Sequence, residues 1–201
     1  MSEDIRTDVS MEYSTEEGQN KIIGFWLFLA AEMSLFGTLF ATHAVLMGRT
    51  ADAPTTAEMF QPNIVLIMTF LLLTSSFTCG LAVHFMREQS LKGLISMLAV
   101  TLLLGLSFLG LEIYEFVHYV HEGVTLQSSA YWSVFFTLTG THGLHVLLGI
   151  GWMVALIIQL RKRGLTPVTT RKAFVLSLYW HFLDVVWIFI FSAVYMLGMV
   201  L

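Results

Sequence analysis

The stretch Leu178-Tyr179-Trp180-His181-Phe182-Leu183-Asp184-Val185-Val186-Trp187 places a histidine and an aspartate three residues apart inside a long apolar segment. Side chains three residues apart share one face of a helix, so His181 and Asp184 can interact with each other or with one neighbouring subunit. A carboxylate near the centre of a membrane-spanning helix costs roughly 2.5 to 3.5 kcal/mol on insertion scales. We therefore expect this pair to have a partner or a function.

The composition predicts an integral membrane protein. Of the 201 residues 56% are hydrophobic and 12% are charged, and the mean hydropathy is +0.76. A spanning helix needs about 20 apolar residues. The predicted fold is all-α, a polytopic bundle of five transmembrane helices, in a domain that covers residues 21–201. The five helices are predicted at about 22–47, 63–86, 94–117, 133–160 and 173–200. Residues 1–20 are acidic and are expected to form a flexible cytoplasmic tail.

The basic residues predict the orientation of the bundle. With a cytoplasmic amino terminus, all lysines and arginines except Arg49 lie on the cytoplasmic side, as the positive-inside rule requires. The carboxyl terminus is then expected outside. The net charge of −4 comes largely from the acidic tail and gives no indication of a nucleic-acid partner.

Polar residues inside the predicted helices fall into two layers. With a rise of about 1.5 Å per residue, Glu32, His142 and Asp184 each lie about 14 to 16 Å from a helix end, near the midplane of the membrane. Glu112 lies about 27 Å along its helix, so Glu112 and Glu115 are expected as a water-accessible acidic pair at the outer interface.

The pairs of carboxylates and histidines resemble the ligands of a di-iron site in a helix bundle, but the layers argue against one. The ligands of such a site lie within a few ångströms of each other and include a Glu-x-x-His pair on each of two helices. Neither condition is met by the sequence. A haem bound by two of the mid-membrane histidines is disfavoured as well. We expect no metal and no cofactor in this chain.

Glu32 lies at mid-depth, and its predicted helix has no basic residue near it. It is expected either as a structural acid that hydrogen-bonds to another helix or as a residue with a role in proton uptake or subunit contact. His142 and His145 lie beside Gly140 and Gly143, which allow another helix to approach closely. Hydrogen bonds between helices are the favoured interpretation of these histidines.

Four motifs on four helices resemble subunit III of the haem-copper terminal oxidases. They are Ala31-Glu32-Met33-Ser34-Leu35-Phe36, Gly110-Leu111-Glu112-Ile113-Tyr114-Glu115-Phe116, Gly140-Thr141-His142-Gly143-Leu144-His145-Val146 and Tyr179-Trp180-His181-Phe182-Leu183-Asp184-Val185-Val186-Trp187. The resemblance runs from about Lys21 to the carboxyl terminus and is greatest to bacterial quinol oxidases of the aa3 and bo3 kinds. The seven-helix members of the family begin with two helices that this sequence lacks.

The resemblance implies an accessory subunit of a bacterial cell-membrane enzyme that oxidises a quinol, reduces oxygen to water and pumps protons. Haem and copper are then expected in subunit I, and the partners are subunits I and II, a small subunit IV and membrane lipids. By motif match, Glu32 is the buried carboxylate on the helix that faces subunit I. His142, His145, His181 and Asp184 match a mid-membrane polar network, and Glu112 and Glu115 match an outer acidic pair.

Three alternatives remain open from the sequence. Short cytochrome c oxidases resemble the chain nearly as well, so the electron donor is open. A proton-coupled transporter would also place polar residues at mid-depth, although no inverted repeat or broken helix indicates one. A self-contained membrane redox enzyme would need a haem or metal of its own.

Overall fold

The computed structural model describes residues 10–51, 53–54 and 56–200, and the regular secondary structure among them is helical, with no β-strand. Five helices among them are long and apolar enough to cross a membrane, which confirms the predicted fold class. A 3-10 turn at Met11–Tyr13 precedes them. The helices are α1 (Glu16–Leu46), the short α2 (Thr56–Met59), α3 (Pro62–Arg87), α4 (Leu91–His121), α5 (Ala130–Arg163) and α6 (Pro167–Ile190), which continues through a π-helical turn (Phe191–Met196) into α7 (Leu197–Val200).

Several helices begin earlier than predicted because hydroxyl side chains cap them outside the apolar segments. Thr15, Ser129 and Thr166 each accept a hydrogen bond from the backbone N–H three residues later. Such N-caps satisfy backbone donors that the first turn leaves free. Pro167 occupies the first position of α6, where its missing N–H is tolerated. Hydropathy alone marks only the part of a helix that is apolar, so these polar first turns were not predicted.

The amino-terminal segment differs from the expected flexible tail where the structure describes it. Residues 1–9, which carry much of the predicted acidic tail, lie outside the described residues. Beyond them, Glu12 is 2% exposed and accepts hydrogen bonds from the Arg87 side chain at 3.1 and 3.2 Å. The Tyr13 ring packs against Phe174 at 5.5 Å. The 3-10 turn at Met11–Tyr13 therefore packs on the bundle, and the boundary at residue 20 stays a prediction.

The core is centred on α6, which contacts α1, α3 and α5. Trp180 of α6 is 1% exposed and lies in a slot between two glycines, Gly105 of α4 and Gly149 of α5. Its indole N–H donates to the Ser75 hydroxyl of α3 at 3.0 Å. One side chain thus joins four helices, and the two glycines provide the space for its ring.

Burial differs strongly between the helices. Within the most apolar 18 residues of each helix, 56% of the residues are buried in α6 but only 17% in α1. Large apolar side chains such as Trp26, Leu27 and Met33 are exposed on α1. An exposed apolar helix surface is what lipid or another membrane subunit covers. The orientation of the bundle stays a prediction from the charge bias.

Candidate functional site

Glu32 of α1 contacts His145 of α5. Its Oε2 lies 3.1 Å from His145 Nε2, and the side chains of Glu32 and His145 are 16% and 14% exposed. The His145 ring packs edge-on against Phe36, one turn further along α1. The helix of Glu32 supplies no basic residue near the acid, and the structure shows that α5 supplies a histidine instead.

The Nδ1 contact of His145 limits where the protons of this pair can lie. Nδ1 is 2.7 Å from the Thr141 carbonyl oxygen, and since a carbonyl only accepts, Nδ1 carries a proton and donates it. The contact between Nε2 and Glu32 then holds one further proton, on the acid or on the imidazole. Either arrangement leaves the pair without net charge, and moving the proton across the contact creates no net charge in the membrane.

His142 occupies a different environment one turn away on α5. It is fully buried, and its Nε2 donates to the Leu183 carbonyl oxygen at 3.2 Å. The rings of Phe108 and Trp187 lie 5.8 and 5.4 Å from the imidazole. No group among the described residues hydrogen-bonds to Nδ1. His142 therefore links α5 to α6 through a hydrogen bond between the two helices.

Glu112 and Glu115 are buried, not water-accessible as predicted. Each is 3% exposed, because this face of α4 packs against α5. A Cβ atom added at Gly143 would lie 2.5 Å from Glu112 Oε2, so the absence of a side chain at Gly143 leaves room for the Glu112 carboxyl group. No described group hydrogen-bonds to either Glu112 oxygen. The depth estimate placed the pair along its helix but did not tell which face α5 covers.

Two tyrosines satisfy the carboxyl group of Glu115. Tyr119, one turn along α4, donates to Oε1 at 2.6 Å, and Tyr195 donates to Oε2 at 2.7 Å. Tyr195 lies in the π-helical turn that follows α6. Such turns add a residue to the helical repeat and are frequent at functional sites. Sequence reasoning missed both tyrosines, although the i,i+4 spacing of Glu115 and Tyr119 is a signal that could have found one.

His181 and Asp184 share a surface pocket, to which α3 contributes the hydroxyl of Ser76. Ser76 Oγ lies 2.7 Å from His181 Nδ1, and Asp184 lines the same pocket. Asp184 is 8% exposed, and its Oδ1 has no hydrogen-bond partner among the described residues. The histidine of this pair therefore hydrogen-bonds to a third residue from another helix.

The predicted mid-membrane residues thus form separate contacts instead of one network. His145 contacts Glu32, His142 contacts the α6 backbone, and His181 contacts Ser76. No group of three or more His, Cys, Asp or Glu side chains able to hold a metal ion is found in the part of the chain that the structure describes. What the sites offer is hydrogen bonding and the sharing of protons between helices.

Comparison with known proteins places these sites in a family. Residues 6–199 match the model of the family described as cytochrome c oxidase subunit III. Two similar proteins, both named quinol oxidase subunit 3, come from Bacillus spizizenii and Bacillus subtilis; each is 60% identical over 193 residues, which are 96% of this chain and 95% of the relative. A protein named probable quinol oxidase subunit 3, from Staphylococcus haemolyticus, is 55% identical over 201 residues, which are 100% of this chain and 98% of that relative. The chain belongs to the cytochrome c oxidase subunit III family of the haem-copper oxidases.

Proposed function

We propose that this chain is subunit III of a proton-pumping haem-copper quinol oxidase in the bacterial plasma membrane. The complex oxidises a quinol and reduces oxygen to water. The observation that carries this proposal is the 60% identity to proteins named quinol oxidase subunit 3 over 96% of this chain. The five long apolar helices fit a multi-pass membrane subunit.

The proposed role within the complex is one of support. Haem and copper reside in subunit I, and this chain holds neither. The contacts of His145 support this role, because both of its ring nitrogens lie in hydrogen bonds with protein groups. An imidazole must present a free nitrogen lone pair to bind a metal.

We assign the contact with subunit I to α1. This helix is the least buried of the five, and Glu32 lies among its exposed apolar side chains. A second subunit that covers this surface would also enclose the contact between Glu32 and His145. Subunit II and a small subunit IV complete the proposed complex.

A groove between α1 and α6 provides a place for lipid. It has a volume of about 660 Å³, and its walls are almost wholly apolar, including Phe36, Phe40, Phe182 and Phe189. A groove of this kind suits an acyl chain, since hydrocarbon needs apolar walls and no hydrogen bonds. Bound lipid there would fill the space between the helix that faces subunit I and the core of the bundle.

The contact between Glu32 and His145 supports a role in sustaining proton uptake. It holds one proton that can lie on either side chain without a change of net charge. Such a pair can pass a proton at the proposed interface without the cost of an isolated charge in the membrane. The chemistry of oxygen reduction remains in subunit I.

The test is purification of the tagged chain in mild detergent, with identification of the associated proteins and a visible spectrum of the same sample. Co-purification with a large subunit that bears haem and copper is expected. Recovery of this chain alone would contradict the proposal. If that protein is colourless, it would indicate a transporter, which proton flux in liposomes would test. If it is coloured, it would indicate a redox enzyme with its own cofactor.

The electron donor has its own test. The names of the relatives favour a quinol, whereas the family carries the name of cytochrome c oxidase. We expect the purified complex to consume oxygen when a quinol is the electron donor and not when reduced cytochrome c is the donor. The opposite preference would assign the chain to a cytochrome c oxidase.

A further inference from the structure

A polar pocket opens on the outer surface of the bundle between α3 and α6. It has a volume of about 410 Å³, and its polar side chains are Ser76, His181 and Asp184. Leu73 and Phe77 contribute apolar walls and are 41% and 67% exposed. The face of α3 that borders the pocket is therefore uncovered by the rest of this chain.

The pocket lies far from water at either side of the membrane. Ser76 is 14 residues from the start of α3 at Pro62 and 11 from its end at Arg87. At about 1.5 Å per residue, these separations correspond to roughly 21 and 17 Å. Since the hydrocarbon core is about 30 Å thick, the polar groups face its interior. Polar groups at that depth require a partner that can hydrogen-bond.

The polar side chains of the pocket have unused hydrogen-bonding capacity. Among the described residues, the ring of His181 hydrogen-bonds through Nδ1 to the Ser76 hydroxyl. Asp184 is more than nine-tenths buried and lines the pocket, and its Oδ1 lacks a partner among the described residues. The contacts within this chain therefore leave this trio incompletely paired.

The shape of the bordering face fits another helix. Ser76 and Gly80 are four residues apart on α3, a spacing at which two small residues let a second helix approach the backbone closely. A Cβ atom added at Gly80 would meet nothing within 4 Å, so the space beside it is open. Phe70, 69% exposed, extends the uncovered face well beyond the pocket. A helix covers such an elongated face, whereas a single ring would fill only the pocket.

We propose that this pocket receives a transmembrane helix of another subunit of the oxidase, which places an uncharged amide or hydroxyl side chain against His181 and Asp184. Such a side chain donates and accepts, so it can pair with the imidazole and the carboxyl group together. This interface is distinct from the surface of α1 assigned to subunit I. The inference rests on the proposed function, because it takes the chain to be one subunit of a complex.

Photo-crosslinking in the intact complex tests the proposal. A benzophenone amino acid replaces Phe77 in the tagged chain, and membranes that contain the whole oxidase are irradiated before purification. We expect one major adduct to a segment of another subunit that spans the membrane, identified by mass spectrometry. Adducts to lipid alone, or to a hydroquinone, would overturn the proposal.

Two pairs of variants identify the basis of docking. Gly80→Leu fills the notch and should lower the adduct yield at least fivefold, whereas Gly110→Leu, at an equally open glycine of α4, should leave it unchanged. His181→Leu should lower the yield, and His181→Gln, which keeps an amide near the position of Nε2, should restore most of it. An unchanged yield in both Gly80→Leu and His181→Leu would overturn the proposal.

The outcomes separate this inference from the proposed function. Haem-bearing subunits that co-purify with the tagged chain but form no adduct at Phe77 would overturn the docking site and leave the oxidase assignment intact. A chain that purifies without any haem-bearing subunit would overturn both. Measurement of bound haem in every variant shows whether a substitution has prevented assembly.

Discussion

Replacing Gly105 by alanine is expected to disturb the slot that holds Trp180. A Cβ atom at Gly105 would lie 2.7 Å from Cη2 and 2.9 Å from Cζ2 of the indole. The ring has little room to retreat, because a Cβ at Gly149 on the other side would already lie 3.1 Å from Cζ3. The indole N–H also bonds to Ser75, which fixes the ring between the helices.

The size of the effect follows from two opposing terms. Forcing an extra methyl group into a packed core costs about 1 to 3 kcal/mol. Alanine also favours a helix over glycine by up to about 1 kcal/mol. Gly110→Ala on the same helix has only the gain in helix propensity, since nothing lies within 4 Å of its added Cβ. Gly105→Ala should therefore be about 1 to 3 kcal/mol less stable than Gly110→Ala.

Labelling of the single cysteine measures this difference in the intact complex. Cys79 is 1% exposed, so a fluorescent maleimide should react with it only as the chain unfolds on heating, and the band of this chain is read on a denaturing gel. One kcal/mol corresponds to about 2 to 4 °C in a chain of this size, which predicts a midpoint roughly 2 to 12 °C below that of Gly110→Ala. Trp180→Phe should reduce the penalty, because it removes the atoms that clash. Equal midpoints for the two alanine variants would refute the reasoning.

Three further predictions concern the buried acids. Glu32→Ala should lower the stability of the purified oxidase or its turnover over many cycles, with a haem content near that of the unaltered complex. Adding His145→Ala should cost little more, because the two residues share one contact. Loss of haem in the single variant, or additive losses in the double variant, would contradict this. Gly143→Ala should lower the unfolding midpoint measured by cysteine labelling. Glu112→Ala in the same chain should recover part of this loss, because it removes the carboxyl group 2.5 Å from the new Cβ. No recovery would show that the clash lies elsewhere. Glu12→Gln should speed proteolysis of the amino-terminal segment in detergent, because its buried pairing with an arginine is lost, and unchanged cleavage would show that other contacts hold the segment.

Apolar length is a local property, and it predicted five spanning helices without knowledge of any contact. The family motifs singled out Glu32 and His145 as candidate residues, but they did not show that the two touch across α1 and α5. The prediction that Glu112 is accessible to water was wrong. Depth along one helix says nothing about which face a neighbouring helix covers, and that face is decided by Gly143 of α5.

The sequence by itself determined the membrane class, the number of helices and the family, because hydropathy, length and motif order are properties of the linear chain. Only the tertiary structure decided the partners of the polar residues. The partner of His181 is Ser76 and a partner of Glu115 is Tyr195, and both partners are distant in sequence. Such contacts depend on the rotation and register of whole helices, and those are set by packing of many side chains at once.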